Sequence, residues 1–493
     1  MTRTFSSACT FDFHAQAASH LIRPDHQEDL CFAIWHPSEG RTRTTALLHH
    51  LVLPRAGERA VHGNASFSPE YFERALGEAV ESQGGLAFLH SHPAPGWQGM
   101  SSDDVRAEEG HAAPTKGATG LPLVGLTLGT DGAWSARFWK KTRPKKYERR
   151  WCENVRVVGD PFGVTYTEQL RPAPRFKEEL RRTISAWGNA AQAKLARLRV
   201  GIVGAGSVGT IVAETLARSG IQNITLIDFD TVENLNLDRL LHATTATAER
   251  KESKVSSLAA GIRKGATADK FNVLEIDYSV AEEEGYRAAL DCDVIFSCVD
   301  RPWARAVLNY IATAHLIPVI DGGILVEVTP RQTLLRADWK VHTVMPGRRC
   351  LECLEQYNPG LVQAEREGYL DDPQYIKNLP DDHPLKRNEN VIAFSMNVAS
   401  FEVLQMLSMV VAPMGLSDPG QQSYHFVPAI FDKPQFQVCQ PTCLYPALVA
   451  LGDHAGFVVT GRHEIAEKHR AIHAKPKKSI LRSFMDIFKP RNV

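Results

Sequence analysis

Two histidines and an aspartate lie at a spacing that could hold a metal ion. His90 and His92 are two residues apart in a run with the character of a strand, so both side chains point to one face. Asp104 follows a short loop, in the first turn of the next expected helix. Two imidazoles, one carboxylate and an open fourth position form a hydrolytic zinc arrangement, which lowers the pKa of a bound water to about 7. These residues predict a catalytic zinc site.

A glycine-rich turn marks a second candidate site. Gly204, Gly206 and Gly209 follow an apolar strand and open a helical run, and a second apolar strand ends at Asp228. Glycines let the backbone approach phosphates, the helix N-terminus offers N–H groups, and the carboxylate can hold ribose hydroxyls. Such glycines also serve close packing of a strand on a helix. The setting between two strands favours nucleotide binding.

Four cysteines form two close pairs further along the chain. Cys350 and Cys353 have C-x-x-C spacing, whereas Cys439 and Cys443 are one residue further apart. Four thiolates from two loops fit a closed, tetrahedral structural zinc site. The alternative is two pairs of ordinary cysteines in turns.

Beyond Asp228 the sequence has the segment 232–239 (Val-Glu-Asn-Leu-Asn-Leu-Asp-Arg), Lys254 in Ser-Lys-Val, and Asp300 at the end of an apolar strand. With these residues the chain resembles the ubiquitin-activating enzyme superfamily, including the ThiF/MoeB-type adenylyltransferases. The resemblance covers about residues 175–330, with weaker similarity to the C-terminus. A dehydrogenase has no use for a polar asparagine and arginine here, whereas an adenylating enzyme must neutralise a triphosphate.

The superfamily resemblance implies ATP, Mg²⁺ and a ubiquitin-like protein whose C-terminal glycine carboxylate becomes an acyl-adenylate. Asp300 is the implied Mg²⁺ ligand. The implied ATP-binding residues are Gly204, Gly206, Gly209, Asp228, Asn236, Arg239, Lys254 and Asp300, of which Arg239, Lys254 and Asp300 neutralise charge. Relatives that form a thioester place a cysteine in the region between Cys353 and Cys439, where this sequence has none. Direct transfer of the adenylate, an oxyester on a hydroxyl such as Ser395, and a reactive cysteine of the zinc pairs remain open.

The first site resembles the JAB/JAMM metallopeptidase family. His90-Ser91-His92-Pro93, followed by Ser101 and Asp104, matches its H-[ST]-H-P and S-x-x-D signature. The resemblance implies zinc on His90, His92 and Asp104, with Ser101 assisting the oxyanion and Glu28 as general base. The spacer before Ser101 is about one residue longer than usual, which leaves Asp103 as an alternative ligand. Ser101 and Asp104 also have the spacing of a helix start.

A fusion of these two families implies a bacterial, and by resemblance defensive, pathway of ubiquitin-like modification. The peptidase would trim a precursor or release the modifier, and a conjugating enzyme and a homodimer are expected partners. Two alternatives stay open. One is activation of a sulfur-carrier protein for cofactor synthesis, and the other is a silent scaffold that binds a ubiquitin-like partner.

The elements that position these residues predict an α/β protein of several units. The expected order is a mixed α/β JAB/JAMM domain (1–150), a linker and helical lead-in (151–195), a Rossmann-like adenylation domain with a mostly parallel sheet and the four-cysteine zinc site (196–460), and a basic tail (461–493). The tail carries an amphipathic patch from Ile480 to Phe488, and the basic run 140–146 reads as a solvated linker.

The composition argues against a nucleic-acid-binding, a membrane-spanning and a secreted protein. The chain has 493 residues, with 56 lysines and arginines against 56 acidic residues, so no net field favours nucleic acid. No run approaches the roughly 18 apolar residues of a membrane span, and no apolar signal peptide is recognisable at the start. The cysteine pattern does not form a secreted framework, which favours a reducing cytoplasm.

Overall fold

The computed structural model describes residues 3–62, 64–378, 389–434 and 438–474. A mixed sheet of nine strands is built by the first third of the chain, in the order β11-β10-β1-β3-β2-β6-β7-β8-β9. Two further strands, β4 (Arg59–His62) and β5 (Asn64–Phe67), form a separate ribbon. The strands of the first sheet are β1 (Thr4–Thr10), β2 (Leu30–Glu39), β3 (Arg43–Val52), β6 (Gly85–Ser91), β7 (Val124–Leu128), β8 (Trp134–Arg143), β9 (Lys146–Trp151), β10 (Asn154–Val158) and β11 (Gly163–Tyr166).

The centre of the first sheet is covered on both faces. All seven residues of β6 are buried, as expected for a strand between two layers. Three helices belong to this part of the chain: α1 (Phe11–Leu21), α2 (Pro69–Glu81) and α3 (Ser102–Thr119). Strand β6 pairs in parallel with β7 and antiparallel with β2. The start of β2 and the end of β6 therefore lie at the same edge of the sheet, where α3 also begins.

The first sheet extends past the boundary predicted at residue 150. The basic run 140–146 is part of the antiparallel hairpin of β8 and β9 and is not a linker. Strands β10 and β11 follow within the predicted linker, and β10 pairs in parallel with β1. Local patterning misses this pairing because the two strands are about 150 residues apart in sequence.

The second sheet has eight strands in the order β14-β13-β12-β15-β16-β17-β18-β19. The first five pair in parallel and the last three are antiparallel, so the expected mostly parallel Rossmann-like sheet is confirmed. Its strands are β12 (Arg199–Val203), β13 (Asn223–Ile227), β14 (Asn272–Ile276), β15 (Val294–Ser297), β16 (Val319–Val328), β17 (Leu334–Val344), β18 (Gln422–His425) and β19 (Ile430–Asp432).

Helices surround the second sheet. They are α4 (Arg181–Arg197), α5 (Ser207–Arg218), α6 (Thr245–Glu249), α7 (Lys254–Gly265), α8 (Glu283–Ala289), α9 (Pro302–Ala314), α10 (Pro359–Arg366), α11 (Pro373–Asn378), α12 (Ile392–Val411) and α13 (Glu464–Ala474). Short 3-10 turns lie at Glu178–Leu180, Asn234–Asn236, Tyr369–Asp371, Pro413–Gly415, Tyr445–Leu448 and Gly452–His454. Within the described ranges, α12 alone is long and apolar enough to cross a membrane, and most of it is buried inside the fold.

The two sheets meet across a seam that is part apolar and part ionic. Ala8, Leu47 and Phe162 of the first part belong to the same buried cluster as the core of the second. Beside them, the buried carboxylate of Asp293 accepts from Arg43 across the seam. The predicted amphipathic patch of the basic tail lies outside the described residues.

Candidate functional site

The first sheet and α3 bring the two histidines and the aspartate together. His90 is the second-last residue of β6, His92 directly follows the strand, and Asp104 lies in the first turn of α3. The Nε2 atoms of the histidines are 3.2 Å apart, and each lies near one Asp104 oxygen, at 3.5 Å for His90 and 3.3 Å for His92. One ligand atom from each residue falls within 4.8 Å of the others, which suits a single ion.

Charge within this cluster is arranged around the carboxylate. Burial opposes ionisation of Asp104, but the two imidazoles outweigh it and hold the pKa of this carboxyl well below its usual range. Burial lowers the pKa of His90, whereas the contact with Asp104 raises the pKa of His92. An anionic oxygen facing two imidazole nitrogens is a donor set for a divalent ion such as zinc.

Helix α3 begins as a capping box, which fixes the carboxylate. The Ser101 hydroxyl accepts from the Asp104 N–H at 3.1 Å, and Asp104 Oδ2 accepts from the Ser101 N–H at 2.7 Å. The cap and the ligand arrangement therefore hold together, because Asp104 faces the histidines from its capped position. Asp103 is exposed and pairs with Arg106, so it does not join the cluster.

Glu28 lies just before β2, at the edge where His92 sits. Its Oε1 is 4.0 Å from the Nε2 of His92. Ser91 ties these segments together, because its hydroxyl accepts from the Asp29 N–H at 3.0 Å and its own N–H donates to the Asp29 carbonyl at 3.0 Å. Glu28 is thereby held next to the two histidines.

A buried ion pair behind His90 was missed by the sequence analysis. The Arg137 guanidinium donates to Glu108, one turn after Asp104 on α3, and to the Thr127 hydroxyl at 2.6 Å. Thr127 in turn lies 3.2 Å from His90 Nε2. The one signal in sequence is the four-residue spacing of Glu108 from Asp104, which places both on one face of the helix.

The four cysteines come together between α9 and the C-terminal turns. Their sulfurs lie within 4.8 Å of one another, and the Sγ atoms of Cys350 and Cys443 are 3.7 Å apart. Tetrahedral zinc with Zn–S bonds of about 2.3 Å requires sulfurs about 3.8 Å apart. The N–H groups of Cys350 and Cys353 donate to Cys439 and Cys350 sulfurs, and the Cys439 thiol lowers the pKa of Cys350 to about 5. This donor set fits zinc.

Replacing Cys439 with serine should lower the zinc content by one ion per chain, because the remaining three thiolates leave the site open. Inductively coupled plasma mass spectrometry of the purified full chain measures this loss. The matched control is Cys298→Ser, a cysteine of the same part of the chain that lies outside the cluster. Equal zinc in Cys439→Ser and wild type would contradict a zinc site here.

The glycine turn joins β12 to α5, and its glycines have different surroundings. Gly204 has φ of +94°, and a Cβ there would overlap the carbonyl of Cys298, while a Cβ on Gly209 would overlap the carbonyl of Gly204. These two serve close packing. At Gly206 a Cβ would meet open space. Gly206 is also the N-cap of α5 and has no side chain that could bond the first N–H groups of the helix, which suits an anion.

Asp228 lies beside this turn, at the end of β13. Its carboxylate accepts from the Ala205 N–H at 2.6 Å and from the Asp230 N–H at 2.7 Å, and burial raises its pKa to about 6. Lys254 begins α7 and donates to Asp230 at 2.8 Å. Burial opposes the charge on Lys254, but Asp228 and Asp230 outweigh it and raise its pKa. Asp228, Asp230 and Lys254 therefore form one charged cluster beside the glycine turn.

The three remaining predicted residues follow strands of the second sheet: Asn236 and Arg239 come after β13, and Asp300 comes after β15. Asn236 accepts from the Glu233 N–H and closes a turn. Arg239 donates to the Leu235 carbonyl at 2.6 Å and pairs with Asp238, so its guanidinium is engaged with its own segment. Asp300 is exposed after β15 and is close enough to Lys254 to favour its charge. An open turn, a lysine and an exposed carboxylate fit ATP with Mg²⁺.

Comparisons with known proteins agree with this second site. A profile of the ThiF family matches residues 179–443, more than half of the chain. The adenylyltransferase and sulfurtransferase UBA4 of Yarrowia lipolytica is 28% identical over 165 residues, 32% of this chain and 40% of that protein. The molybdopterin-synthase adenylyltransferase of Escherichia coli is 28% identical over 159 residues, 32% and 59%. The ubiquitin-like modifier-activating enzyme 5 of Drosophila virilis is 27% identical over 132 residues, 25% and 33%.

The chain thus matches less than two thirds of the length of each of these relatives, and the family match begins after the first sheet. On the strength of that match, the chain belongs to the ThiF family.

Proposed function

We propose that the second part of this chain uses ATP to adenylate the C-terminal glycine carboxylate of a ubiquitin-like protein. The observation that carries this proposal is the glycine turn at the start of α5, where Gly206 has open space beside it and Asp228 accepts from the Ala205 N–H, with Lys254 next to the same carboxylate. The names of the relatives, which include adenylyltransferases and an activating enzyme for a ubiquitin-like modifier, support it.

Each residue has a part in holding the reactants. The N–H groups at the start of α5 bind phosphate, and Asp228 accepts from the ribose hydroxyls. Lys254 and Arg239 neutralise the triphosphate, with Arg239 turning away from its own segment to do so. Asp300 would hold Mg²⁺, which would supply positive charge at the phosphates. The attacking carboxylate is already an anion, so positioning and charge neutralisation supply the catalysis.

ATP–pyrophosphate exchange tests this proposal. The full chain is incubated with MgATP, radiolabelled pyrophosphate and a ubiquitin-like protein that ends in glycine. Exchange should require the partner's free C-terminal carboxylate and should be absent with a partner that lacks the glycine tail. Absence of exchange with every ubiquitin-like partner tested would contradict adenylation.

A second candidate substrate is a sulfur-carrier protein. One relative is named adenylyltransferase and sulfurtransferase and another molybdopterin-synthase adenylyltransferase, and these names favour this class. The adenylation step is identical, but the product is a thiocarboxylate. Mass spectrometry of the partner after reaction with a sulfide donor distinguishes a thiocarboxylate from covalent adducts to other proteins.

The adenylate is proposed to pass directly to a further partner, such as a conjugating enzyme. Ser395 is buried and its hydroxyl donates to Asn390 at 3.1 Å, which argues against an oxyester on it. Burial raises the pKa of the Cys298 thiol well above its usual value, so it is not a thiolate at neutral pH. The zinc-fitting cysteines are committed to one another.

We also propose that the first part of the chain is a zinc peptidase of the JAB/JAMM type, acting on the same glycine tail. His90, His92 and Asp104 would hold the zinc ion, which would supply Lewis acidity at a scissile carbonyl. Glu28 is placed to take and return a proton, and the Ser101 hydroxyl to donate to a developing oxyanion. The cluster of ligand atoms within 4.8 Å supports this proposal.

Replacing His92 with alanine should reduce cleavage of a fusion that carries a glycine tail by about 100-fold or more, because two ligands cannot hold the ion. Cleavage is followed by gel electrophoresis of the fusion. His62→Ala serves as control, since this exposed histidine lies on the ribbon strand β4. Unchanged cleavage in His92→Ala would end the peptidase proposal.

A further inference from the structure

Helix α13 lies across the edge of the second sheet where the proposed nucleotide site is found. The imidazole Nδ1 of His469 is 3.3 Å from Asp230 Oδ1. One residue on, the Arg470 guanidinium pairs with Glu282 at 2.6 and 2.8 Å and lies 4.1 Å from the centre of the Tyr278 ring. The helix therefore contacts segments that follow both β13 and β14.

The residue before α13 anchors it by packing. His463 is 3% exposed, and its ring meets those of Phe229 and Trp303 at centroid distances of 4.9 and 5.3 Å. Burial lowers the pKa of His463 to about 4, so it is neutral at physiological pH and packs as an aromatic ring. Because Phe229 lies between Asp228 and Asp230, this packing holds the helix at the carboxylates.

The charges at this point limit what Lys254 can do. Asp230 is bound by Lys254 through one oxygen, and its other oxygen faces His469. If Lys254 were the sole cation beside Asp228 and Asp230, it would remain committed to these carboxylates. A second cation beside Asp230 neutralises part of the carboxylate charge. The Lys254 ammonium is then free to contact an incoming phosphate.

We propose that α13 is a wall of the nucleotide site and that His469 is a positioning residue, whose positive charge balances Asp230 and leaves Lys254 available to a nucleotide phosphate. This inference rests on the proposed adenylation and extends the site to residues beyond the family match, which ends at residue 443.

The affinity for the nucleotide should fall as pH rises, because His469 loses its charge. The contact with Asp230 raises the pKa of His469, Glu233 adds to this, and Lys254 opposes it. His469 is charged below its pKa and loses the charge as pH rises through it. Binding of MgATP should therefore be tighter in mildly acidic buffer than in alkaline buffer.

Calorimetric titration of the full chain with MgATP, without any partner, tests this at about pH 6 and about pH 8.5. The variant His469→Gln removes the charge, and His469→Lys makes it permanent. His469→Gln should bind about tenfold more weakly than wild type at the lower pH and about equally at the higher pH. His469→Lys should bind about as tightly as wild type at the lower pH and about tenfold more tightly than wild type at the higher pH. The protonation of ATP itself also changes between the two pH values, but it affects all three proteins equally and cancels when they are compared at one pH.

Arg462→Gln is the matched control, since Arg462 precedes α13 and its exposed side chain pairs with Glu467. It should bind like wild type. If wild type binds MgATP and His469→Gln matches it at both pH values, the role of His469 is overturned while adenylation stands. If wild type does not bind MgATP at all, the proposed function is overturned and this inference with it.

Discussion

Replacing Asp300 with alanine should reduce ATP–pyrophosphate exchange by about 100-fold or more and leave the fold intact. Asp300 is exposed beyond β15, so its loss leaves no buried partner unsatisfied. Without it, the proposed Mg²⁺ loses its carboxylate, and the charge that develops on pyrophosphate is left to Lys254 and Arg239. The measurement is exchange at saturating ATP with a glycine-tailed partner.

The control for Asp300 is an aspartate at the opposite end of the same sheet. Asp269 is exposed and accepts from Gln222, the residue just before β13, so Asp269→Ala should exchange at the wild-type rate. Raising Mg²⁺ should recover part of the activity of Asp300→Ala, because the weakened site fills at higher concentration. Wild-type exchange in Asp300→Ala at low Mg²⁺ would remove this residue from the mechanism.

The predictable parts of the fold are the elements whose signal lies within one short stretch of sequence. Local sequence patterns predict strands at 30–35 and 45–53 and helices at 69–82 and 391–409, and the structure has β2, β3, α2 and α12 there, within a few residues. Their apolar runs and periodicities are local, so each can be recognised from one segment of the sequence. The glycine turn is also local, since one strand, one turn and one helix contain it.

The parts that were not predictable depend on contacts distant in sequence. A basic run exposed on a hairpin has the same composition as a linker, so 140–146 gave no sign of β8 and β9. The ionic contacts of Asp230 could not be predicted from its place beside Asp228, because its partners Lys254 and His469 are 24 and 239 residues away in sequence. Sequence spacing gave one false alternative, Asp103, which the helix cap excludes by facing Asp104 towards the histidines.

Replacing Asp293 with alanine should lower the free energy of unfolding by about 3–5 kcal/mol. Its buried carboxylate accepts from Arg43 at 2.6 Å and Arg156 at 2.8 Å, both from the first sheet, and from the Arg199 N–H at 3.0 Å in the second. Burial already lowers the pKa of Arg156 to about 10. Removing the shared anion would leave two buried guanidinium groups of the first sheet side by side at the seam without the carboxylate that neutralises them.

The pH dependence of the free energy of unfolding distinguishes the loss of the Asp293 charge from a loss of packing. Burial opposes ionisation of Asp293, but Arg43 and Arg156 outweigh it and hold its pKa well below the usual range. A depressed pKa gives stability that is present above the unfolded value of about 3.9 and is lost as pH falls below it. The difference between wild type and Asp293→Asn in urea unfolding should thus be constant from about pH 5 to 8 and shrink below about pH 4. A difference that does not shrink would assign the effect to packing.

The position of Asp293 makes it a test of whether the two proposed centres share one scaffold. Strand β15 has Asp293 just before its first residue and Asp300 three residues beyond its last, so the ionic seam and the proposed Mg²⁺ ligand lie at opposite ends of one short strand. Across the seam, Arg43 begins β3, which pairs with β2 next to the histidine strand. Asp293→Ala should therefore weaken pyrophosphate exchange and peptide cleavage together, whereas Asp103→Ala, at an exposed pair on α3, should weaken neither. Loss of one activity alone would mean that the halves hold their sites independently.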